Sequence, residues 1–437
     1  MEPYIVGLIG MGLMLLLILL HVPIGVAMGI AGVATFGMIR GNLTPALTLF
    51  GVETVSKVGS SELAVIPLFL LMGSFATVGG LSADLYRIAY ALIGHIRGGL
   101  AVATIGGCAG FGAICGSSVA TASTMTRIAL PEMMKRNYSE RLATGSIAAG
   151  GTLGMLIPPS IILVLYGVLT EQFVKTLFVA ALIPAVLAVA LHVITILILV
   201  RRNPDLASTG ERQPWSELGR ALRSGWTAVA LMIVVTGGIY AGIFSVNESA
   251  AVGAFLAFLI ALFRGRLTLK GFWSALQETA ATTSMIYLMT IGASIFTYAV
   301  TISGLPEMLV DGIRDTGLPG IWVVVLLMIM YLILGSIFET ISSMVITIPF
   351  VFPLILSYGY DPIWWGVLTV MVIEIGMITP PIGMNVFVMK AMLPKTKLST
   401  IYAGVAPFIV ADILRLAILV AFPALSLFLV NMFNLPR

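Results

Sequence analysis

Charge is scarce in this chain: Asp, Glu, Lys and Arg make up 10% of its 437 residues, against about a quarter in an ordinary soluble domain. Hydrophobic residues make up 59% and mean hydropathy is +1.09. At roughly 20 apolar residues per spanning helix, the length accommodates at most about a dozen crossings with their connectors, and no extramembrane catalytic domain. There are two cysteines, Cys108 and Cys115, and three scattered histidines, His21, His95 and His192. That spacing excludes a disulfide framework and zinc chemistry. No G-x-x-x-x-G-K-[ST], H-E-x-x-H or G-x-S-x-G occurs, so ATP hydrolysis, zinc peptidase chemistry and a nucleophile elbow are not expected. The Gly-rich run Gly106 to Gly116 lies inside an apolar segment, where a dinucleotide loop does not form. Neither an enzyme nor a bound cofactor is expected.

The net charge of +4 and pI near 9.1 do not imply nucleic acid. Membrane proteins collect Lys and Arg in their cytoplasmic loops, and the partner implied by the composition is lipid. The first apolar run, Tyr4 to Leu20, lacks a basic leader and a small-residue cleavage site, so it is expected to remain as a permanent helix.

Apolar segments continue to about residue 200, the longest polar break covers 201–224, and a second series with the same rhythm follows. One offset relates the two: adding 222 carries Pro131 to Pro353, Tyr138 to Tyr360, Gly154 to Gly376, Pro158 to Pro380 and Pro159 to Pro381. These five identities fall on residues of special backbone character. Internal duplication of this kind is a mark of secondary transporters.

Five basic stretches, 87–97, 135–141, 201–223, 264–270 and 390–397, hold 16 of the 23 Lys and Arg residues and are placed in the cytoplasm. Two crossings, 225–246 and 249–263, put the Asn247-Glu248 tip outside and leave 264–280 as a cytoplasmic surface connector. Counting outward from these stretches puts both termini outside, with an odd number of full crossings per half, so the repeats are inverted. The expected organisation is a first repeat over 1–200, a connector over 201–224 and a second repeat over 225–437. Scaffold helices are assigned to 1–95, 177–200, 225–300 and 401–430; hairpins with broken helices are assigned to 99–175 and 321–393.

Segments 99–114 and 119–134 lie between basic stretches on one side, so they enter and leave without crossing, as a re-entrant helical hairpin. Arms of about 15 residues reach ~22 Å, which places the tip Cys115-Gly116-Ser117-Ser118 at depth. The matching hairpin, 321–337 with 344–357, has the tip Phe338-Glu339-Thr340-Ile341-Ser342-Ser343. After each hairpin an apolar run is interrupted by adjacent prolines. Proline removes its own N–H and clashes with the carbonyl four residues back, so Pro158 and Pro159 free the carbonyls of Gly154 and Met155. Pro380 and Pro381 free those of Gly376 and Met377. Such carbonyls persist in a membrane only where protein, water or an ion meets them. A Ser- and Gly-rich tip facing free carbonyls gives neutral oxygen ligands, which suit sodium better than the divalent cations that require carboxylates. The opposing expectation is that Ser and Gly serve only close helix packing.

Other polar residues in apolar segments carry alternatives. Glu339 is a protonatable or ion-linked group, or a structural hydrogen-bonding one. Glu374 is expected to hydrogen-bond across a helix interface, and Asn385 to meet a carboxylate or an ion, or to pack. Arg127 attracts an anion or extends to the cytoplasmic interface; Asp412 and Arg415, three residues apart, pair with each other.

The runs Gly116-Ser117-Ser118-Val119-Ala120-Thr121-Ala122, Ala129-Leu130-Pro131-Glu132-Met133 and Gly150-Gly151-Thr152-Leu153-Gly154-Met155-Leu156-Ile157-Pro158-Pro159-Ser160, with Thr379-Pro380-Pro381-Ile382-Gly383-Met384-Asn385 in the second half, resemble the large membrane subunit of tripartite ATP-independent periplasmic (TRAP) transporters. The resemblance covers nearly the whole chain. It implies an all-α membrane protein of two inverted repeats, each with a re-entrant hairpin and a Pro-Pro-broken helix, working as a sodium-coupled elevator. It implies Ser117 and Ser118 with the carbonyls of Gly154, Ile157 and Pro159 as one sodium site. Glu339, Thr340 and Ser342 with the carbonyls of Gly376, Thr379 and Pro381 would form the other. Gly116, Ser118, Ser160, Ser343, Gly383 and Asn385 would face an organic acid. The implied partners are a small four-helix membrane subunit, expected as a separate polypeptide, and a periplasmic substrate-binding protein, in a bacterial inner membrane. A self-sufficient sodium/carboxylate symporter, and a non-transporting structural subunit, are the rival expectations.

Overall fold

A computed structural model describes residues 2–209 and 214–436, and every regular element in them is helical. The first half runs α1 (Pro3–Leu19), α2 (Ile24–Arg40), α3 (Thr44–Val58), α4 (Ser61–Val78) and α5 (Leu81–Ile93). Then come the hairpin arms α6 (Gly99–Cys115) and α7 (Ser118–Lys135), the broken pair α8 (Glu140–Leu156) and α9 (Ile161–Thr170), and the long α10 (Val174–Arg202). In the second half α11 (Trp215–Met232) continues through a π-helical turn, Ile233–Gly237, into α12 (Gly238–Tyr240). Next are α13 (Val246–Phe263), α14 (Leu269–Ile302) and α15 (Leu305–Asp315). The second hairpin is α16 (Gly320–Ile337) with α17 (Thr340–Ser357), and its broken pair is α18 (Pro362–Gly376) with α19 (Met384–Met392). Helices α20 (Leu398–Ala421) and α21 (Ala424–Met432) end the chain. Among the described residues eight helices are long and apolar enough to cross a membrane, or nine when α8 and α9, bent by 41° at their break, count as one span.

Helix boundaries repeat at the same offset as the prolines. Shifting α6, α7 and α8 by 222 lands within two residues of the bounds of α16, α17 and α18. Local chemistry sets many of these starts. Ser117, Ser139 and Ser160 accept from the amides of Ala120, Leu142 and Leu163 at 3.4, 3.1 and 3.3 Å, satisfying orphan donors of the first turn. Asp361 does so for Ile363 and Trp364. Gly80 and Gly304, with φ of 72° and 69°, turn the chain from α4 into α5 and from α14 into α15, a conformation open to glycine.

The connector expected over 264–280 is instead helix from Leu269 onward. Shifted by 222, α3 and α4 together cover the single 34-residue α14. The first repeat interrupts that path at Gly59-Ser60, where Ser60 caps α4; the second carries Ala281-Thr282 there and has no reason to stop.

Helices α1–α4, α13 and α14 form one layer, in which α2 lies along α14 and α4 along α13. The α2–α14 crossing is backbone on backbone. A Cβ on Gly25 would lie 2.5 Å from the carbonyl oxygen of Leu288, and one on Gly292 would overlap the carbonyl of Gly25. The other layer gathers the hairpins and broken helices, with glycines again at the crossings: Gly112 against Gly154, and Gly335 against Gly376. Segments 177–200 and 401–430, expected in the scaffold, belong by packing to this second layer. Helix α20 lies on α8, and α10 on α8, α18, α20 and α6, where Gly145 and Gly404 let α8 and α20 meet closely. The apolar runs of these two helices carry no sign of which layer they join.

Asp412 and Arg415 pair as expected, Nη2 to Oδ1 at 3.1 Å, and His192 Nε2 lies 3.1 Å from the same oxygen. All three are buried. The cross-interface hydrogen bond expected of Glu374 is not formed: both its carboxylate oxygens are buried without a hydrogen-bond partner, although it interacts electrostatically with Arg415. No sequence spacing foretells this grouping, because His192 and Asp412 stand 220 residues apart.

Candidate functional site

The first hairpin tip sits against the first break. Gly116, with φ of 63°, ends α6 where a Cβ would lie 3.2 Å from the carbonyl oxygen of Pro159. A Cβ on Gly154 would lie 2.8 Å from Thr121 Oγ1 and 3.0 Å from the carbonyl oxygen of Ser117. Ser117, Gly154 and Pro159 are therefore neighbours, as expected. The carbonyl of Gly154 has proline four residues on and so lacks its helical donor. That of Met155 is met by the hydroxyl of Ser160. Ser160, expected to face substrate, is thus fully buried and occupied in closing the break. The Ile157 amide still donates to Leu153, at 3.1 Å, so α8 stays helical up to the prolines.

The second break is sealed differently. The carbonyls of Gly376 and Met377, expected to be free, accept from the amides of Thr379 and Asn385 at 2.9 and 3.1 Å. A tight turn after α18 supplies the donors that proline removes. The Thr379 hydroxyl donates to the carbonyl of Ile375 at 2.6 Å. The carbonyls of Pro381 and Ile382 accept from the Tyr402 hydroxyl at 3.0 and 2.6 Å, so Pro381 is held by α20. Gly383, with φ of 61°, sends its amide to the carbonyl of Ser336 at the end of α16, 3.0 Å away.

At the second tip Glu339 precedes the first turn of α17, and its Oε2 is buried with no hydrogen-bond partner. Thr340 points its hydroxyl at two sulfurs, Met377 Sδ at 3.0 Å and Met155 Sδ at 3.5 Å, one from each broken helix. Ser342 and Ser343 are buried, and the Ser343 hydroxyl donates back to the Glu339 carbonyl. The two half-sites are joined: Asn385 Nδ2 donates to Ser118 Oγ at 2.6 Å across the pseudo-symmetric centre, while Asn385 Oδ1 stays buried and unpartnered. Helix N-termini at Ser118, Ile161, Thr340 and Met384 thus begin at the tips and breaks, offering amide donors to an anion.

Tyr138 closes the base of the first hairpin, its hydroxyl accepting from the Leu100 amide at 3.2 Å; burial raises its phenol above the ordinary value. Its repeat-mate Tyr360 lies against Gly320 at the base of the second hairpin.

Beside the first tip lies a cavity of about 520 Å³, between α7 and the facing helices α4 and α14, a size suited to a small organic ligand. Arg127 lines it and is exposed. The wall from α14, including Ser274, Glu278 and Thr279, went unnoticed in the sequence because that stretch was taken as a connector. Its polar periodicity, at spacings of three and four, was the available signal.

A helical, multiply spanning protein with paired hairpin tips and paired helix breaks at its centre has the architecture of a membrane transporter rather than an enzyme. Residues 11–425 match the family described as "Tripartite ATP-independent periplasmic transporter, DctM component", and the chain belongs to that family. It is 34% identical over 408 residues to the C4-dicarboxylate TRAP transporter large permease protein DctM of Pseudomonas aeruginosa, covering 93% of this chain and 94% of that one. It is 29% identical to the ectoine TRAP transporter large permease protein TeaC of Halomonas elongata, covering 94% and 96%. The solved YdaH transporter of Alcanivorax borkumensis shares the fold, with a TM-score of 0.59 at 16% identity over 91% of this chain and 90% of that one.

Proposed function

We propose that this chain is the large permease of a sodium-driven uptake system for an organic acid, working with a small four-helix membrane subunit and a periplasmic substrate-binding protein. It resides in a bacterial inner membrane with both termini on the periplasmic side. The layer of hairpins and broken helices moves as an elevator against the layer of α1–α4, α13 and α14. Sodium is held at each tip: by Ser117, Ser118 and the carbonyl of Gly154 in the first repeat, and by Glu339 and Thr340 beside the second break. The substrate is taken beside the first tip, close to the helix N-termini that begin at the tips and breaks.

The observation that carries this reading is the Asn385–Ser118 hydrogen bond, which joins the two half-sites into one polar centre inside an apolar protein. Buried polar groups are retained against a cost of about 1–3 kcal/mol each when unpaired, and the open acceptors here, Asn385 Oδ1 and Glu339 Oε2, are chemically those that a cation satisfies. Membership of a family described as ATP-independent and a central oxygen cluster together support ion-driven rather than ATP-driven uptake.

The test is uptake of labelled organic acids into proteoliposomes holding this chain and its small partner, with a binding protein outside and an inward sodium gradient or none. Flux that needs both gradient and binder is expected. Flux that needs sodium alone would replace the tripartite reading with a self-sufficient symporter, and flux indifferent to sodium would remove the ion sites.

A further inference from the structure

The cavity beside the first tip is lined by three helix faces in strict helical register. Helix α7 presents Ala120, Ser123, Thr124 and Arg127; α4 presents Gly73, Ser74 and Thr77; α14 presents Ser274, Glu278, Thr279 and Thr282. Spacings of three and four place each set on one face of its helix. Arg127 and Glu278 are both exposed within it. They take part in none of the ion pairs among the described residues. Thr279, also in the lining, is buried, and its hydroxyl has no partner. One unpaired cation on the hairpin layer and one unpaired anion on the facing layer therefore border the same space.

We infer that this cavity takes a zwitterion, its carboxylate bound by Arg127 and its cationic group by Glu278, in preference to a dicarboxylate. The inference deepens the uptake function proposed above by naming the substrate class. Arg127 supplies a planar guanidinium suited to a carboxylate. A second carboxylate at the far end of the ligand would approach Glu278, and the two like charges repel. An ammonium or amidinium there replaces the repulsion with a charge-assisted hydrogen bond. Thr279 and the neighbouring hydroxyls serve either ligand equally, so charge at the two ends decides. Because α7 and α14 belong to different layers, a zwitterion bridges them only while these faces are opposed, and relative sliding of the layers severs one of its two contacts.

The test is equilibrium binding of labelled 4-aminobutyrate and 6-aminohexanoate, with succinate and adipate as dicarboxylates of matched length, to the purified full-length chain in nanodiscs. The wild-type protein is expected to bind at least one amino acid about tenfold more tightly than its matched diacid. Arg127→Gln and Glu278→Gln should each weaken that binding about tenfold or more, the size of a lost charge-assisted hydrogen bond. Glu278→Gln should also raise diacid binding. The exchange Arg127→Glu with Glu278→Arg should restore amino-acid binding to within a few-fold, which a merely structural role for either residue would not do. Preference for the diacid, no binding of any of the four probes, or single variants that keep the wild-type pattern would overturn the inference. Sodium-dependent uptake is measured separately. If uptake ignores sodium while this binding pattern holds, the coupling reading fails and the cavity assignment stands. If sodium-driven uptake holds with the charge pattern absent, the reverse is true.

Discussion

The two helix breaks share a sequence device and differ in almost everything around it. Pro158 and Pro159 are buried, and the first break is closed from within by the Ser160 hydroxyl on Met155. Pro380 and Pro381 are exposed, and the second is closed from outside by Tyr402 of α20. The tips diverge in the same way: Gly116-Ser117-Ser118 offers only neutral groups, whereas Phe338-Glu339-Thr340 offers a carboxylate with an unpartnered oxygen. Duplication has thus preserved what the backbone requires, a proline pair and a glycine at each crossing, while the chemistry carried on that backbone has separated. Treating the halves as interchangeable would assign both sites the same ligands.

The most damaging way to probe this comparison is to fill the crossings. Gly376 meets the Gly335 backbone, with a built Cβ 2.6 Å from its carbonyl carbon, whereas the nearest atom to a Cβ on Gly154 is the Thr121 hydroxyl. Gly376→Ala is expected to cost about 1–3 kcal/mol as overpacking against backbone that cannot rotate away, and Gly154→Ala less. Thermal unfolding of the purified variants checks the order, and equal losses would mean the crossings tolerate strain alike. Next in size, Glu339→Gln should raise the sodium concentration for half-maximal uptake about tenfold, while Ser117→Ala, removing one neutral ligand, should shift it less than about threefold. A larger effect at Ser117 would invert the assignment of the stronger site.

Smaller effects test how the halves are joined and sealed. Ser118→Ala and Asn385→Ala should show a coupling of about 0.5–3 kcal/mol in a double-mutant cycle on stability; additive losses would mean the link contributes nothing. The least effect is expected for Tyr402→Phe, about 0.5–1.5 kcal/mol. It should be accompanied by faster hydrogen exchange at the second break and none at the first. Uniform change at both would show that α20 does not seal one break alone.

Much of this architecture was legible in the sequence. Prolines constrain the backbone wherever they stand, so Pro158-Pro159 and Pro380-Pro381 located both breaks, and their common offset located the repeat. Charge placement isolated the hairpin segments. The failures concern partners brought together by the fold. Freed carbonyls were counted from proline alone, which misses donors such as the Thr379 and Asn385 amides and the Ser160 hydroxyl. The layer to which α10 and α20 belong depends on glycine contacts such as Gly145 with Gly404, whose residues are 259 positions apart. Helix α14 was cut short because its first turns are polar, and with them went the Glu278 wall of the cavity.

The crossing of α2 with α14 brings together Gly25 and Gly292, and the link at the centre brings together Ser118 and Asn385; each pair is separated by 267 residues. At ribosomal rates of about 5–20 residues per second, each earlier member waits roughly 13–53 s for its mate. Throughout that interval the Gly25 face of α2 and the Ser118 hydroxyl have only lipid, water or a chaperone as company. The nascent first half is therefore an incomplete body, and whatever shelters it during synthesis must release it when α14, and later α19, emerge.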